Sequence, residues 1–287
     1  MNYPLQNSIK KRVIISSDAA CEVDDLFAIA HALLSPTLAV KGLAAAHFAD
    51  DQSMEKSKQE ILKLLDNMDS RYRVPVFPGS PEPLKSENQP IPSEASDFII
   101  KEAHTEGPPL YITIQGAATD IASAYLLDPS ISKKIEAVIW LGGSSYPEGG
   151  PEFNLQNDVA AANVLMDSDL PLWQIPLDAS GVMKLSYAET LIKVAPYGLL
   201  GNYLKERYEY VLKITETAPV EIWTMWDMAA TGLLLDEQVF SFVVRNAPRF
   251  SKNMCYEKAE RHHPIRVYKP LLSRFVMEDF LCKLRLQ

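Results

Sequence analysis

Short apolar runs alternate along this chain with stretches whose apolar residues recur every three or four positions. The runs at Val13–Ile15, Leu38–Ala46, Arg73–Phe77, Leu110–Ile114, Ala137–Leu141 and Leu172–Leu177 have the length and content of buried strands. Between them, Phe27, Ala28, Ala30, Leu33 and Leu34 make one apolar helical face, which Pro36 ends. Further helices are predicted over Ser53–Leu65, Ala95–His104, Ile121–Leu127 and Asp158–Met166. The segment Pro78–Pro92, rich in Pro, Gly and Ser, reads as a loop. Strand and helix in alternation predict an α/β fold, a mostly parallel central sheet with helices on both faces. No repeat and no linker-like shift in composition interrupts the pattern, so a single domain over residues 1–287 is expected.

The polar residues matter most where a strand hands over to a helix, because ligands of open α/β sheets gather at that edge. After Val13–Ile15 the chain places Asp18, Glu22, Asp24 and Asp25 within one turn. Carboxylates this close repel one another, and a hard cation such as Ca²⁺ or Mg²⁺ relieves the repulsion. Acids also favour a helix N-terminus without any ion. That alternative explains one or two of them well and four poorly. A second polar cluster, His47 to Asp51, follows the second strand, and Gly116 to Asp120 follows the fourth. The Gly142-Gly143 pair reads as a tight turn. Neither a GxxxxGK[ST] loop nor a GxGxxG after the first strand is present, which removes support for an ATPase or a dinucleotide enzyme.

Composition narrows the field further. The net charge of −9 argues against nucleic-acid phosphate as a partner. Cys21, Cys255 and Cys282 form neither a CxxC pair nor a Cys/His ligand spacing, so zinc and a disulfide framework are not expected. The N-terminal MNYPLQNSIKKR lacks the apolar core of a signal peptide, and no apolar run reaches bilayer length. A cytoplasmic protein is expected.

The segment D-A-A-C-E-V-D-D-L-F-A-I-A resembles the N-terminal motif of the nucleoside hydrolases, in the branch with two extra residues before the Asp-Asp pair. Four later segments match the same family in order. They are Val74–Gly79, Gly116–Ala122, the Glu152-Phe153-Asn154 motif with Asp158 following, and Trp226–Ala230. The resemblance covers the chain from Arg12 to Leu284 and implies a Rossmann-like open sheet and a calcium-dependent nucleoside hydrolase. By that resemblance Asp18, Asp25 and Asp227 ligate Ca²⁺, with the backbone carbonyl of Thr119 as a further ligand. Asp18 would also take a proton from water, Asp24 would bind the ribose 2′-hydroxyl, and Glu152 and Asn154 would hold the ribose hydroxyls. Asp18, Asp24 and Asn154 are thus the expected catalytic set. Asp24, Glu152, Asn154, Asp227, Trp226 and His47 are the expected substrate contacts. The implied partners are a small-molecule nucleoside and further copies of the chain, as a dimer or tetramer, with no nucleic acid and no membrane.

The chemistry agrees with the residue types. Breaking an N-ribosidic bond builds positive charge on the sugar, which carboxylates stabilise while a metal activates water. Thr119 has a second reading as a helix N-cap. Asp227 stands in an apolar helix start, where an unpartnered acid is expensive. The positions of Glu152 and Asn154 rest on the resemblance. The sequence also departs from the family. Trp226 stands where many members carry the His that protonates the leaving base, Ala20-Cys21 replaces Gly-Asn, and Asp120 replaces an Asn. Asp120 is expected to add charge near the metal. His47, His262 and His263 are candidate replacement acids, and Trp226 is a candidate for stacking on the base. Two rivals follow: a hydrolase of another ribosyl-like compound on the same scaffold, and a relative that binds ligand without turnover.

Overall fold

The computed structural model describes residues 11–214 and 221–287. Its centre is an eight-stranded sheet in the order β3-β2-β1-β4-β5-β6-β12-β9. In chain order the strands are β1 (Lys11–Ser17), β2 (Leu38–Ala45), β3 (Val76–Pro78), β4 (Leu110–Gln115), β5 (Ile135–Leu141) and β6 (Leu172–Ile175). Then come β7 (Lys184–Ser186), β8 (Ile222–Thr224), β9 (Phe242–Asn246), β10 (Arg249–Phe250), β11 (Tyr256–Glu257) and β12 (Pro264–Tyr268). Every neighbouring pair in the sheet is parallel except β9 against β12. Strands β7 and β8 pair antiparallel in a separate ribbon, as do β10 and β11.

Helices cover both faces. They are α1 (Asp24–Leu33), α2 (Ser53–Asp66), α3 (Glu94–Ala103), α4 (Thr119–Leu127), α5 (Phe153–Asn157), α6 (Val159–Asp167), α7 (Leu177–Ser180), α8 (Tyr187–Glu189), α9 (Gly198–Ile214), α10 (Met228–Leu235) and α11 (Ser273–Leu286). The period of two along each strand divides the core. Val13 and Ile15 pack with α1, α2, α9, α10 and α11 on one face, whereas Ile14, Ile112 and Ile114 pack with α3, α4 and α6 on the other. Strands buried on both faces read as continuous apolar runs, which is why they were visible as such in the sequence. The predicted boundaries hold to within about three residues over this half, within the usual scatter of element ends. Beyond Leu177 the sequence reading named only the helix start at Asp227, which is α10; there the structure adds the β7–β8 ribbon, α9, the antiparallel edge and α11. Among the described residues no helix is long and apolar enough to cross a membrane.

The strand order reverses direction at β1 and β4. From β1 the chain moves outward through β2 to β3, and from β4 it moves the other way through β5 to β6. Loops leaving the carboxyl ends of β1 and β4 therefore diverge and leave a crevice between them.

Candidate active site

That crevice is a cavity of about 300 Å³. Its walls come from the residues just past four strands: Asp18 to Asp25 after β1, Gln115 at the end of β4, Leu141 and Gly142 at β5, and Ile175 to Ser180 at β6. Pro151 to Asn154 and the Trp226-Asp227 pair close it.

The acids enter from two distant parts of the chain. Asp24 and Asp25 occupy the first turn of α1, where the helix dipole favours negative charge, yet the N-cap position, Val23, offers no side-chain cap. Asp227 sits at the N-cap of α10, a mostly apolar helix packed on α1, with Thr231 Oγ1 donating to the Ala28 carbonyl at 3.1 Å. That packing returns Asp227 to Asp24, whose Oδ2 accepts from the Asp227 amide at 3.3 Å. Carboxylate oxygens of Asp24, Asp25 and Asp227 all lie within 4.8 Å of one another. Asp18 lines the same wall outside this tight trio, and its Oδ2 has no hydrogen-bond partner among the described residues. All four are at most 4% exposed.

Burial, and then mutual repulsion, push these carboxyls up. Asp18 and Asp227 lie well above the ordinary carboxylate range, chiefly through burial and next through Asp25. Asp24 is raised by burial and then by Glu22. Asp25 is pushed up to about 7 by burial, held back by Ser17, whose Oγ donates to Asp25 Oδ1 at 2.5 Å. Asp25, held back in this way, is still far above its ordinary range. Cys21, on the same turn, has its thiol raised by burial and by Asp18, so it stays protonated. A donor set of buried hard oxygens in mutual repulsion fits a hard divalent cation.

Across the cavity, Glu152 caps α5. Its carboxylate accepts from the amides of Gly143 (2.9 Å), Asn154 (3.0 Å) and Leu155 (2.9 Å). Asn154 Nδ2 donates to the Leu141 carbonyl at 3.1 Å. Gly143 makes this corner possible: its φ is +82°, and a Cβ there would approach Gln174 Nε2 and Tyr256 Oη to 2.7 Å. Phe153 and Leu177 expose apolar surface at the rim, and Trp226 lies in the wall with the Lys184 ammonium 5.6 Å from its ring.

Asp18, Asp24, Asp25, Glu152, Asn154, Trp226 and Asp227 thus share one cavity, as does Glu22. The other expected residues lie outside the cavity. Thr119 does not line the cavity. It is the first residue of α4 rather than its cap; the ladder of that helix begins at Ala118, whose carbonyl accepts from the Ala122 amide at 3.0 Å. The Thr119 hydroxyl donates to Asp158 Oδ2 at 2.6 Å and accepts from His47 Nε2 at 2.9 Å. His47 is engaged by that bond, lies outside the cavity, and is pushed down to about 4 by burial. His263 precedes β12 and meets the Leu170 carbonyl before β6, at the amino edge of the sheet, and His262 is exposed beside it. None of the five histidines lines the cavity. Asp120 faces away as well, accepting from the Ser80 amide (2.9 Å) and Ser93 Oγ (2.7 Å) to fasten the 78–93 loop to α4.

The sequence reading missed Gln115, Phe153, Leu177 and Ser180 as wall residues. Gln115 carried a signal, a polar residue closing an apolar strand, and Phe153 lay inside the Glu152-Phe153-Asn154 motif; Leu177 and Ser180, on α7, carried none, because tertiary packing alone places that short helix.

Comparison with known proteins agrees with this arrangement. The family model described as inosine-uridine preferring nucleoside hydrolase matches residues 13–269. The pyrimidine-specific ribonucleoside hydrolase RihA of Enterobacter sp. (strain 638) is 25% identical over 204 residues, 62% of this chain and 63% of the relative. RihA of Salmonella typhimurium is 26% identical over 191 residues, 58% of this chain and 60% of the relative. The chain therefore aligns with roughly three-fifths of the length of these curated relatives. Among solved structures, a plant nucleoside hydrolase, PpNRh1, superposes with a TM-score of 0.80 at 19% identity, covering 96% of this chain and 99% of its own. A purine-preferring ribonucleoside hydrolase from Gardnerella vaginalis gives 0.78 at 21%, covering 96% and 98%. These likenesses place the fold, and the family model, spanning the acids from Asp18 to Asp227, places the sequence: the chain belongs to the inosine-uridine preferring nucleoside hydrolase family.

Proposed function

We propose that this protein hydrolyses the N-ribosidic bond of nucleosides, releasing ribose and the free base, with Ca²⁺ held by its buried acids. One observation carries the reading. Four buried aspartates and the Glu152-Asn154 pair face one another across a single cavity of about 300 Å³ at the strand-order reversal. Asp25 and Asp227, common to the tight trio and to the family motif, would hold the ion together with Asp18, and Asp24 would serve the ribose. A bound Ca²⁺ would activate water and steady the sugar hydroxyls.

The chain's own residues do the rest. Asp18, with Oδ2 unpartnered, takes a proton from the attacking water. Asp24 accepts a hydrogen bond from the ribose 2′-hydroxyl. Glu152, fixed by three backbone amides, and Asn154, anchored through Nδ2, hold the other sugar hydroxyls. As the bond from C1′ to the base nitrogen lengthens, its electron pair leaves with the base and the carboxylates stabilise the positive sugar. The water oxygen then bonds to C1′, and its proton passes through Asp18 to solvent or base. Phe153, Leu177 and Trp226 offer the base an apolar surface for stacking.

The absence of any histidine from the cavity favours a second reading, a ribosyl compound whose leaving group needs no proton. Ribose release from a panel of nucleosides and nitrophenyl riboside, with Ca²⁺ and with chelator, tests both. Release from nucleosides that chelator abolishes is the expected result, and no release from any nucleoside would overturn the first reading. Assembly as a homo-oligomer, a dimer or tetramer, belongs to the same proposal; light scattering that shows a monomer at micromolar concentration would count against it.

A further inference from the structure

Gln115 is 1% exposed and lines the cavity, yet neither Oε1 nor Nε2 of its carboxamide has a hydrogen-bond partner among the described residues. It is the last residue of β4, in register with Ser17 of β1, and its carbonyl lies 3.4 Å from the Asp18 amide. The turn beyond it presses on the same acid: a Cβ at Gly116 would stand 3.1 Å from Asp18 Cγ. The strand end that carries the carboxamide thus lies beside Asp18. A buried amide with both ends unmade is costly, and a methionine would fill the volume without that cost.

The chemistry of the surrounding wall shows what the amide supplies. Asp18, Glu22, Asp24, Asp25, Glu152 and Asp227 are acceptors when ionised. Asn154 gives one of its two amide hydrogens to Leu141, and Ser180 Oγ points to the Leu177 carbonyl, so side-chain donors on this wall are few. A sugar hydroxyl bound here gives its one hydrogen to a carboxylate, and its lone pairs then need a donor that the acids lack. Gln115 Nε2 provides one, while Oε1 accepts from a neighbouring hydroxyl. We propose that the Gln115 carboxamide is a ribose-positioning group of this cavity, pairing with the sugar hydroxyls and not with the cation; the proposal rests on the nucleosidase reading above.

The experiment compares wild type with Gln115→Met and Gln115→Glu by calorimetric titration of D-ribose in saturating Ca²⁺, and separately of Ca²⁺ alone. Gln115→Met is expected to bind ribose about tenfold more weakly, the loss of roughly one net hydrogen bond, with Ca²⁺ affinity unchanged. On nitrophenyl riboside the same variant should raise KM by a similar factor. Gln115→Glu has the same shape and loses the donor, so ribose binding should fall while Ca²⁺ binds at least as tightly. Loss of Ca²⁺ affinity in Gln115→Met would make the amide an ion ligand and overturn the assignment, as would ribose affinity equal to wild type. Should Gln115→Met fail to fold, undiminished ribose binding by Gln115→Glu overturns it equally. A wild type that binds no ribose and cleaves no nucleoside would bring down the nucleosidase reading itself, a result distinct from a wild type that binds ribose and a variant that matches it.

Discussion

Replacing Asp227 with Asn should stabilise the protein without metal and destabilise it relative to wild type with metal. The carboxylate oxygens of Asp24, Asp25 and Asp227 lie within 4.8 Å of one another. At that separation and an effective dielectric of about 20, each ionised pair costs roughly 3 kcal/mol. The upward shift of these carboxyls, through burial and repulsion, lowers the share of this cost that the protein bears. Removing one charge should therefore return on the order of one such pair interaction. For a chain of this size about 1 kcal/mol moves Tm by roughly 2 °C, so Asp227→Asn in chelator should melt about 5 °C above wild type. Calcium at about 100 times its Kd should raise wild-type stability by about 2.7 kcal/mol and the variant's by far less. Thermal unfolding at pH 7.5, in chelator and across a calcium titration, measures both arms. A variant no more stable than wild type in chelator, or one that gains the full calcium increment, would refute the view of these acids as a strained cation site.

Further outcomes follow from the same geometry. Asp120, buried and 2.7 Å from Ser93 Oγ, has its carboxyl raised to about 6, above its ordinary 3.8, chiefly by burial. A raised folded value means that the folded state holds the proton more tightly, so the stability it contributes is present at low pH and lost as pH rises through about 6. Asp120→Asn should thus raise Tm at pH 7.5 and leave it unchanged near pH 4; equal shifts at both would refute this. Because no histidine reaches the cavity, His47→Ala and His263→Ala should lower turnover of inosine and nitrophenyl riboside by the same factor, and a selective loss on inosine would restore one of them as the acid. Nitrophenyl riboside should be cleaved faster than inosine by up to the 10²–10⁴-fold that a general acid typically supplies. Trp226→Ala should weaken substrates with a flat base while leaving Ca²⁺ binding intact, and loss of the ion would show instead that Trp226 holds Asp227 in place.

The sequence by itself determined the α/β alternation and the acidic turn. Strands buried on both faces must be apolar throughout, as in Ala137–Leu141, and four acids after such a strand have few structural uses. Local chemistry of this kind is written in neighbouring residues. The motif matches also singled out Glu152, Asn154 and Asp227, which share the cavity with Asp18 although 134 and 209 positions separate Glu152 and Asp227 from it in the numbering. Only the tertiary structure decided which residues beside those motifs face inward. Thr119 and Gln115 lie four positions apart, yet the strand end points Gln115 into the cavity while the helix start turns Thr119 towards Asp158 and His47. His47, His262 and His263 look alike as candidate acids in the sequence, and they separate once β2, β6 and β12 are set in register. Direction within a turn, and the end of the sheet at which a loop emerges, are set by packing between elements distant in the chain. Residue order cannot encode them locally, so the fold fixes them only when the sheet closes around its core.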